Sequence, residues 1–367
     1  MSWPVVAFSD VLEDVTGGNE KTKQGDYATM GAYPIVDQGQ SLVGGYTDDP
    51  ASLCKTEEPV IVFGDHTKSL KYIDFPFCLG ADGTKVLKPK LDANTKYLYY
   101  ALQNIHIPEA GYSRHFKYLK AGKIPLPPLD AQNRIAGILD QADALRRLRA
   151  RALDKLNSLG QAIFHEMFGA EAKASISTKA QKIGDFCDVS SGSTPSRKGD
   201  GYYEGTIPWV KTGEVNGRTI LQTEEKVTEA GRDSARLKTY PIGTVLIAMY
   251  GQGKTRGQVG ILGIAATTNQ ACAALVCKED ILPEFLFYQL RSSYERLREQ
   301  GRGGNQPNLN AGMVKEFPIF VPDLERQAEF VILVQSAEFQ AKRNIASLLK
   351  LETLFSSVQN RAFRGDL

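Results

Sequence analysis

Long hydrophobic runs are missing from this chain of 367 residues. Nowhere do 18 apolar residues follow one another, which excludes a membrane-spanning helix. Cysteine is scarce. Cys54, Cys78, Cys187, Cys272 and Cys277 are odd in number and show no C-x-x-C spacing, so neither a disulfide framework nor a zinc cluster is expected. Of the four histidines, His66, His106, His115 and His165, none falls in an H-E-x-x-H pattern. A nucleophile elbow is absent. So is the [DN]-P-P-[YFW] signature of amino-group methylation, because Pro127-Pro128 is flanked by Leu126 and Leu129. These gaps predict a chain that does no catalysis and holds no metal. Charge of one sign is missing too: 44 Lys and Arg against 42 Asp and Glu leave +2. That excludes a polybasic protein and an acidic tail, but leaves recognition by local patches open. Asp10, Glu13 and Asp14 interrupt the N-terminal stretch where a signal peptide needs apolar residues. A cytoplasmic protein is expected.

What is present is repetition. KYLKAGKIPLPPLDAQ (117–132) aligns with GMVKEFPIFVPDLERQ (312–327) at an offset of 195 residues. Pro127 matches Pro322, Leu129 matches Leu324 and Gln132 matches Gln327. The register then holds without a gap from Lys155 and Lys350 to Phe168 and Phe363. More loosely, YPIVDQG (33–39) pairs with IPWVKTG (207–213), VIVFG (60–64) with VLIAMYG (245–251), and YLYYAL (97–102) with FLFYQL (285–290). Each half therefore reads as a globular α+β module followed by a long helix. The expected boundaries are 1–129 and 171–322 for the modules, and 130–170 and 323–367 for the helical spans.

Both helical spans lack proline in their interiors, and Gly137 and Gly160 are the breakers of the first. Asp130 and Asp323 stand where N-caps are expected. Apolar residues recur as Ile135, Ile138, Ala142, Leu145, Ala152, Leu156, Leu159 and Ile163, and as Val331, Val334, Ala337, Ala341, Ile345, Leu348, Phe355 and Val358. These narrow seams suit helices that pair with each other; two separate core helices, each on its own module, remain the alternative. If the helices pair, chain connectivity requires the second to run back along the first. The fold class expected is α+β: two globular domains separated by two long antiparallel coiled-coil helices in a pseudo-two-fold repeat. Helices of this span reach about 57 Å.

Ala248-Met249-Tyr250-Gly251-Gln252-Gly253-Lys254-Thr255 fits a relaxed phosphate-loop pattern, A-x-x-x-x-G-K-T. A true phosphate loop opens a helix directly after the Thr. The residues after Thr255, RGQVGILGIAA, should instead continue as loop and strand, so nucleotide hydrolysis is not expected. The loops collect cations and amides beside aromatics, the side chains that hold phosphates and read base edges. In module two the candidates for DNA contact are Ser196, Arg197, Lys211, Thr212, Tyr250, Gln252, Lys254, Arg256, Asn305 and Gln306. In module one they are His66, Lys68, Lys71, Arg114, His115 and Lys117. Each stretch alone also fits a solvated surface loop. Residues 1–129 carry 13 basic and 15 acidic groups, a net of −2, and residues 171–322 carry 19 and 16, a net of +3.

These residues resemble the DNA-sequence-specificity subunits of type I restriction–modification systems. The resemblance is carried by SSGSTPSRKGDGYYEGTIPWVKTGEV (190–215), AMYGQGKTRGQVGILGIAATTNQACAAL (248–275), GNQPNLN (304–310), IPLPPLDAQ, IFVPDLERQ and AFRGDL. Module one, with GDHTKSLKYIDFPFCLGADGTKVL (64–87) and GYSRHFKYLK (111–120), looks like a different subtype of target recognition domain. The resemblance implies that two such domains each read half of a bipartite, asymmetric site in double-stranded DNA. It further implies two modification subunits, which carry S-adenosylmethionine and methylate adenine, and restriction subunits that use ATP and Mg2+. No cofactor is expected on this chain. The specificity chain of another restriction architecture, or a two-headed coiled-coil scaffold that does not bind DNA, would share the outline.

Overall fold

The computed structural model describes residues 3–57, 59–80, 83–108, 114–178, 181–198, 201–251, 253–302 and 307–366. The chain divides into two compact units, one of Met1–Arg151 with Ala346–Leu367 and one of Ala152–Ile345. Each is α+β.

In the first unit an antiparallel sheet takes the order Leu12–Asp14, Thr84–Pro89, Val60–Gly64, Leu70–Ile73. Its central strand is the apolar run VIVFG, buried at every residue. Successive side chains of a strand point to opposite faces, and here both faces are covered. Ile61 and Phe63 pack with Phe8, Leu98 and Ile135, whereas Val60 and Val62 pack with Val36, Phe77 and Leu79. That two-sided burial explains why the strand reads as a continuous apolar stretch. A second sheet places Lys21–Thr22, Cys78–Gly80, Tyr33–Val36 and Gly45–Thr47 side by side.

The second unit repeats the scheme. Val245–Ala248 is the central strand, between Cys272–Cys277 and Val259–Leu262, with Cys187–Ser191 and Thr219–Ile220 at the edges. Val245 and Ile247 face one core with Phe285 and Phe330, and Leu246 and Ala248 the other with Val210 and Tyr240. Ile207–Val210 pairs with Glu225–Val227 and Thr267–Thr268 in a smaller sheet. The helices Thr95–Gln103 and Pro283–Ser292 carry the matching YLYYAL and FLFYQL segments against the two cores.

Two long helices, Leu129–Thr178 and Leu324–Arg364, complete the elements. The first continues past the expected end at residue 170. Each unit takes the start of one helix and the end of the other. Ile135 and Leu139 share the first unit's core with Phe355 and Phe363, and Phe164 and Phe168 share the second unit's core with Phe330 and Val334. The repeated glutamines account for the matching junctions. Gln132 is buried, accepts from Asn94 N at 3.0 Å and donates to Pro127 O at 2.8 Å. Gln327 is buried, accepts from Leu282 N at 2.8 Å and donates to Pro322 O at 2.8 Å. Asn94 and Leu282 are the N-caps of the two shorter helices. The same amide thus ties the start of a core helix to the entry of a long one in both units, which is why Pro-x-x-x-x-Gln recurs.

One expectation for the long helices needs correction. Asp323 caps as expected, accepting from Arg326 N at 2.9 Å. Asp130 lies inside the first turn instead, because the helix already starts at Leu129 and Gln132 N bonds to Pro128 O. The apolar seam is also only partly covered: Ile138, Leu145, Leu159 and Ile345 are exposed, while Ile135, Val334, Ala337, Ala341 and Phe355 are buried. The largest buried side chains of the two helices lie where a helix enters a unit's core.

Candidate nucleic-acid interface

In the second unit, several loops meet where strands end. Ser193–Lys198 follows strand Cys187–Ser191, and Lys211-Thr212 follows Ile207–Val210. The turn Asn269–Ala271 ties them together. Asn269 Nδ2 donates to Thr212 Oγ1 at 3.1 Å, Thr194 Oγ1 donates to Gln270 Oε1, and Met249 N donates to Ala271 O at 2.8 Å. That last bond brings in the loop after strand Val245–Ala248, which carries Tyr250, Lys254 and Arg256. Leu309 N bonds to Met249 O at 3.0 Å, and Arg256 donates to Pro307 O, so Pro307 and Leu309 join the same end. Gln252, Asn305 and Gln306 lie outside the described residues.

The cations at this end fall into two electrostatic classes. Arg197 makes a paired contact with Glu225, at 2.7 and 3.2 Å, and stacks 3.9 Å from the Tyr203 ring centroid. Lys211 lies 2.7 Å from Glu224 and 3.0 Å from Glu225. Hydrogen bonds from Arg197 hold the Glu225 carboxyl below the usual carboxylate range, and Glu224 with Glu225 raises the Lys211 ammonium above its ordinary value. By contrast, Lys254, Arg256, Arg298 and Arg302 make no ion pair among the described residues. Ser196, Tyr250 and Lys254 are exposed. Nothing in the residue pattern singled out Glu225; Tyr294 and Arg298, which grip the 250–257 loop, carry only the signal of a shared helix face at i, i+4 spacing.

Ala248–Thr255 lacks the architecture of a phosphate loop. Thr255 leads through a turn into strand Val259–Leu262, so the helix that a phosphate loop opens directly after its Thr is not formed.

In the first unit the corresponding hairpin is Asp65–Ser69, between strands Val60–Gly64 and Leu70–Ile73. Gln38 holds it: Thr67 Oγ1 donates to Gln38 O, and His66 N lies 3.4 Å from Gln38 Oε1. Lys68 sits at its turn in the left-handed region, with φ of 60°. Buried Asp65 binds the next segment, its backbone oxygen accepting from His115 N at 2.8 Å and its Oδ1 from Phe116 N at 2.7 Å. This brings exposed Arg114 and Lys117 to the side of the hairpin. Lys71 and His115 are different. Lys71 is buried, donates to Asp37 O at 2.7 Å, and has its ammonium pushed down by burial against the pull of Asp37. His115 is buried with Nδ1 3.0 Å from Asp65 O. Both side chains are buried and bonded inside the unit.

Known proteins give this end a family. A model of the type I restriction modification DNA specificity domain matches residues 2–158 and again residues 178–338. The chain belongs to that family. It carries two such specificity domains. Among curated relatives, the specificity subunit of the type I restriction enzyme EcoR124I/EcoR124II from Escherichia coli is 24% identical over 329 residues, 84% of this chain and 80% of the relative. The MjaIX specificity subunit from Methanocaldococcus jannaschii is 29% identical over 162 residues, 42% of this chain and 36% of that protein. Among solved structures, the type I system S subunit from M. genitalium has a TM-score of 0.62 at 16% identity, covering 99% of this chain and 96% of its own. A chain from a structure concerned with complex assembly and conformational transition of the type I system gives 0.59 at 17% identity, covering 100% and 98%. At such identities the structural likeness speaks to the fold alone. No helix among the described residues is long and apolar enough to cross a membrane.

Proposed function

We propose that this specificity subunit reads a bipartite, asymmetric sequence in double-stranded DNA, and that it directs adenine methylation and restriction carried out by partner subunits. One observation carries the reading. The two units share a scaffold down to the Gln132 and Gln327 junctions, yet they differ at the tips, with a short Gln38-pinned hairpin in one and a glycine-rich loop in the other. A duplicated frame with unlike reading loops suits two unlike half-sites. Residues 1–129 and 171–322 act as the target recognition domains, and 130–170 with 323–367 as antiparallel spacer helices that set the gap. The sharing of each helix between both cores supports that role.

The contacts proposed in the first domain are His66, Lys68, Arg114 and Lys117. In the second they are Ser196, Arg197, Lys211, Thr212, Tyr250, Lys254 and Arg256, with Gln252, Asn305 and Gln306 beside them in sequence. The chain itself is non-catalytic and holds no cofactor in this reading. Two modification subunits bring S-adenosylmethionine and take the adenine out of the stack, and restriction subunits bring ATP and Mg2+. Methylome sequencing of cells with and without the gene tests the proposal. A two-part adenine motif that vanishes with the gene is expected; its absence from the carrying strain would overturn the reading.

A further inference from the structure

The loop between strands Val245–Ala248 and Val259–Leu262 is rich in glycine, and Gly251, Gly253 and Gly257 all take positive φ, at 145°, 58° and 83°. Glycines lose more conformational freedom on ordering than any other residue, so such a loop is poorly held by its own sequence. It is held from outside. Arg298, on the short helix Tyr294–Glu299, uses one guanidinium nitrogen to donate to Gly253 O at 2.8 Å, Arg256 O at 3.1 Å and Tyr294 Oη at 3.0 Å. Tyr294 Oη in turn donates to Lys254 O at 2.7 Å. Three loop carbonyls are thereby fixed by two side chains four residues apart. A Cβ at Gly257 would come within 2.9 Å of Arg298 Cγ, so glycine there lets the arginine stem pass.

We propose that Arg298 is the positioning residue of this loop, holding the backbone in the form from which Tyr250 and Lys254 meet DNA. The proposal rests on the reading of the chain as a DNA-sequence-specificity subunit. All the bonds from the clamp to the loop go to backbone oxygens, which leaves the exposed side chains of Tyr250 and Lys254 uncommitted by the clamp. A loop fixed beforehand meets the ordering cost before binding, and it cannot rearrange to accommodate a wrong base, so discrimination rises as well. The clamp belongs to one unit; in the other, Gln38 pins the hairpin, so loosening Arg298 relaxes one half-site and spares the second.

The test uses the complex of the full chain with its modification subunits, methylating a pool of DNA with randomised target positions. Arg298→Lys keeps the charge but replaces a planar fork by a point donor. In one half-site its discrimination against wrong bases falls about tenfold, the scale of one lost base contact. The other half-site is read as before, and the salt dependence of binding is kept. Tyr294→Phe relaxes the same half-site to a smaller extent. If both variants read both halves as the unsubstituted chain does, or if both halves relax together, the proposal is wrong and Arg298 is merely structural. Should Arg298→Lys fail to fold, Tyr294→Phe decides by the same comparison. An unsubstituted complex that methylates no bipartite site would instead overturn the functional reading itself, a result distinct from an intact motif in the variants.

Discussion

Glu225 accepts from Arg197 and also faces Lys211, so two cations at the tip of the second unit are held by one carboxylate. Ion pairs of this exposure add little to stability, but they decide how much positive charge is free for phosphate. Glu225→Gln removes that hold from Arg197 at neutral pH and leaves Lys211 on Glu224. The expected result is tighter binding to non-specific duplex and a slope of log affinity against log salt that steepens by about one, as one more phosphate is neutralised. Filter binding of the complex over a salt series measures it, and an unchanged slope would place Arg197 away from the backbone. Acid acts in the same direction. The folded-state pKa of Glu225 lies below the ordinary value of 4.5 because Arg197 donates to it, so the pair's contribution is present above that value and is lost as pH falls through the lowered one. Lys71 and His115 teach the converse lesson. Their residue types suit a groove, but Asp37 and Asp65, far from each in sequence, draw them inward.

At the scale of elements, the two glycines of the first long helix look alike in sequence and differ in surroundings. Gly137 has nothing within 4 Å of where a Cβ would lie, so Gly137→Ala recovers the helix propensity that glycine forfeits, about 1 kcal/mol. A Cβ on Gly160 would lie 2.6 Å from Cε1 and Oη of Tyr288, whose ring packs edge-on against Phe330 and whose hydroxyl reaches Glu338 at 3.2 Å. Gly160→Ala therefore costs about 1–3 kcal/mol through overpacking. Urea unfolding of the two variants should move the midpoints in opposite directions. A common direction would mean that helix propensity alone governs both sites. The elements themselves were legible in advance where both faces of a strand are buried, as in VIVFG and VLIA, because the apolar run leaves little choice. The covered positions of the long helices were not: periodicity marks an apolar side, whereas burial at Ile135 and exposure at Leu145 depend on where a unit's core meets the helix.

For the whole molecule, the net of +2 is divided unevenly, −2 over residues 1–129 and +3 over 171–322. Arg197 and Lys211 are paired with glutamates, so the small surplus of the second domain rests on its other cations. Phosphate contact supplies most non-specific affinity, so the isolated chain is expected to bind DNA weakly and to gain affinity strongly when the modification subunits join. The first domain should depend on them most. Fluorescence anisotropy with a duplex carrying the methylome-defined site, with and without the modification subunits, checks this. Tight and specific binding by the chain alone would contradict it.

By itself the sequence determined the duplication, the α+β modules, the long helices and the resemblance to specificity subunits. These rest on local periodicity and on repeats carried in the covalent order, which need no knowledge of distant contacts. The tertiary structure decided which cations remain free, which are buried, and what steadies the glycine-rich loop. Arg298 lies 45 positions from Gly253 and Lys71 lies 34 from Asp37. A hydrogen bond or a desolvated charge depends on separations of about 3 Å, and only the folded chain brings such residues that close.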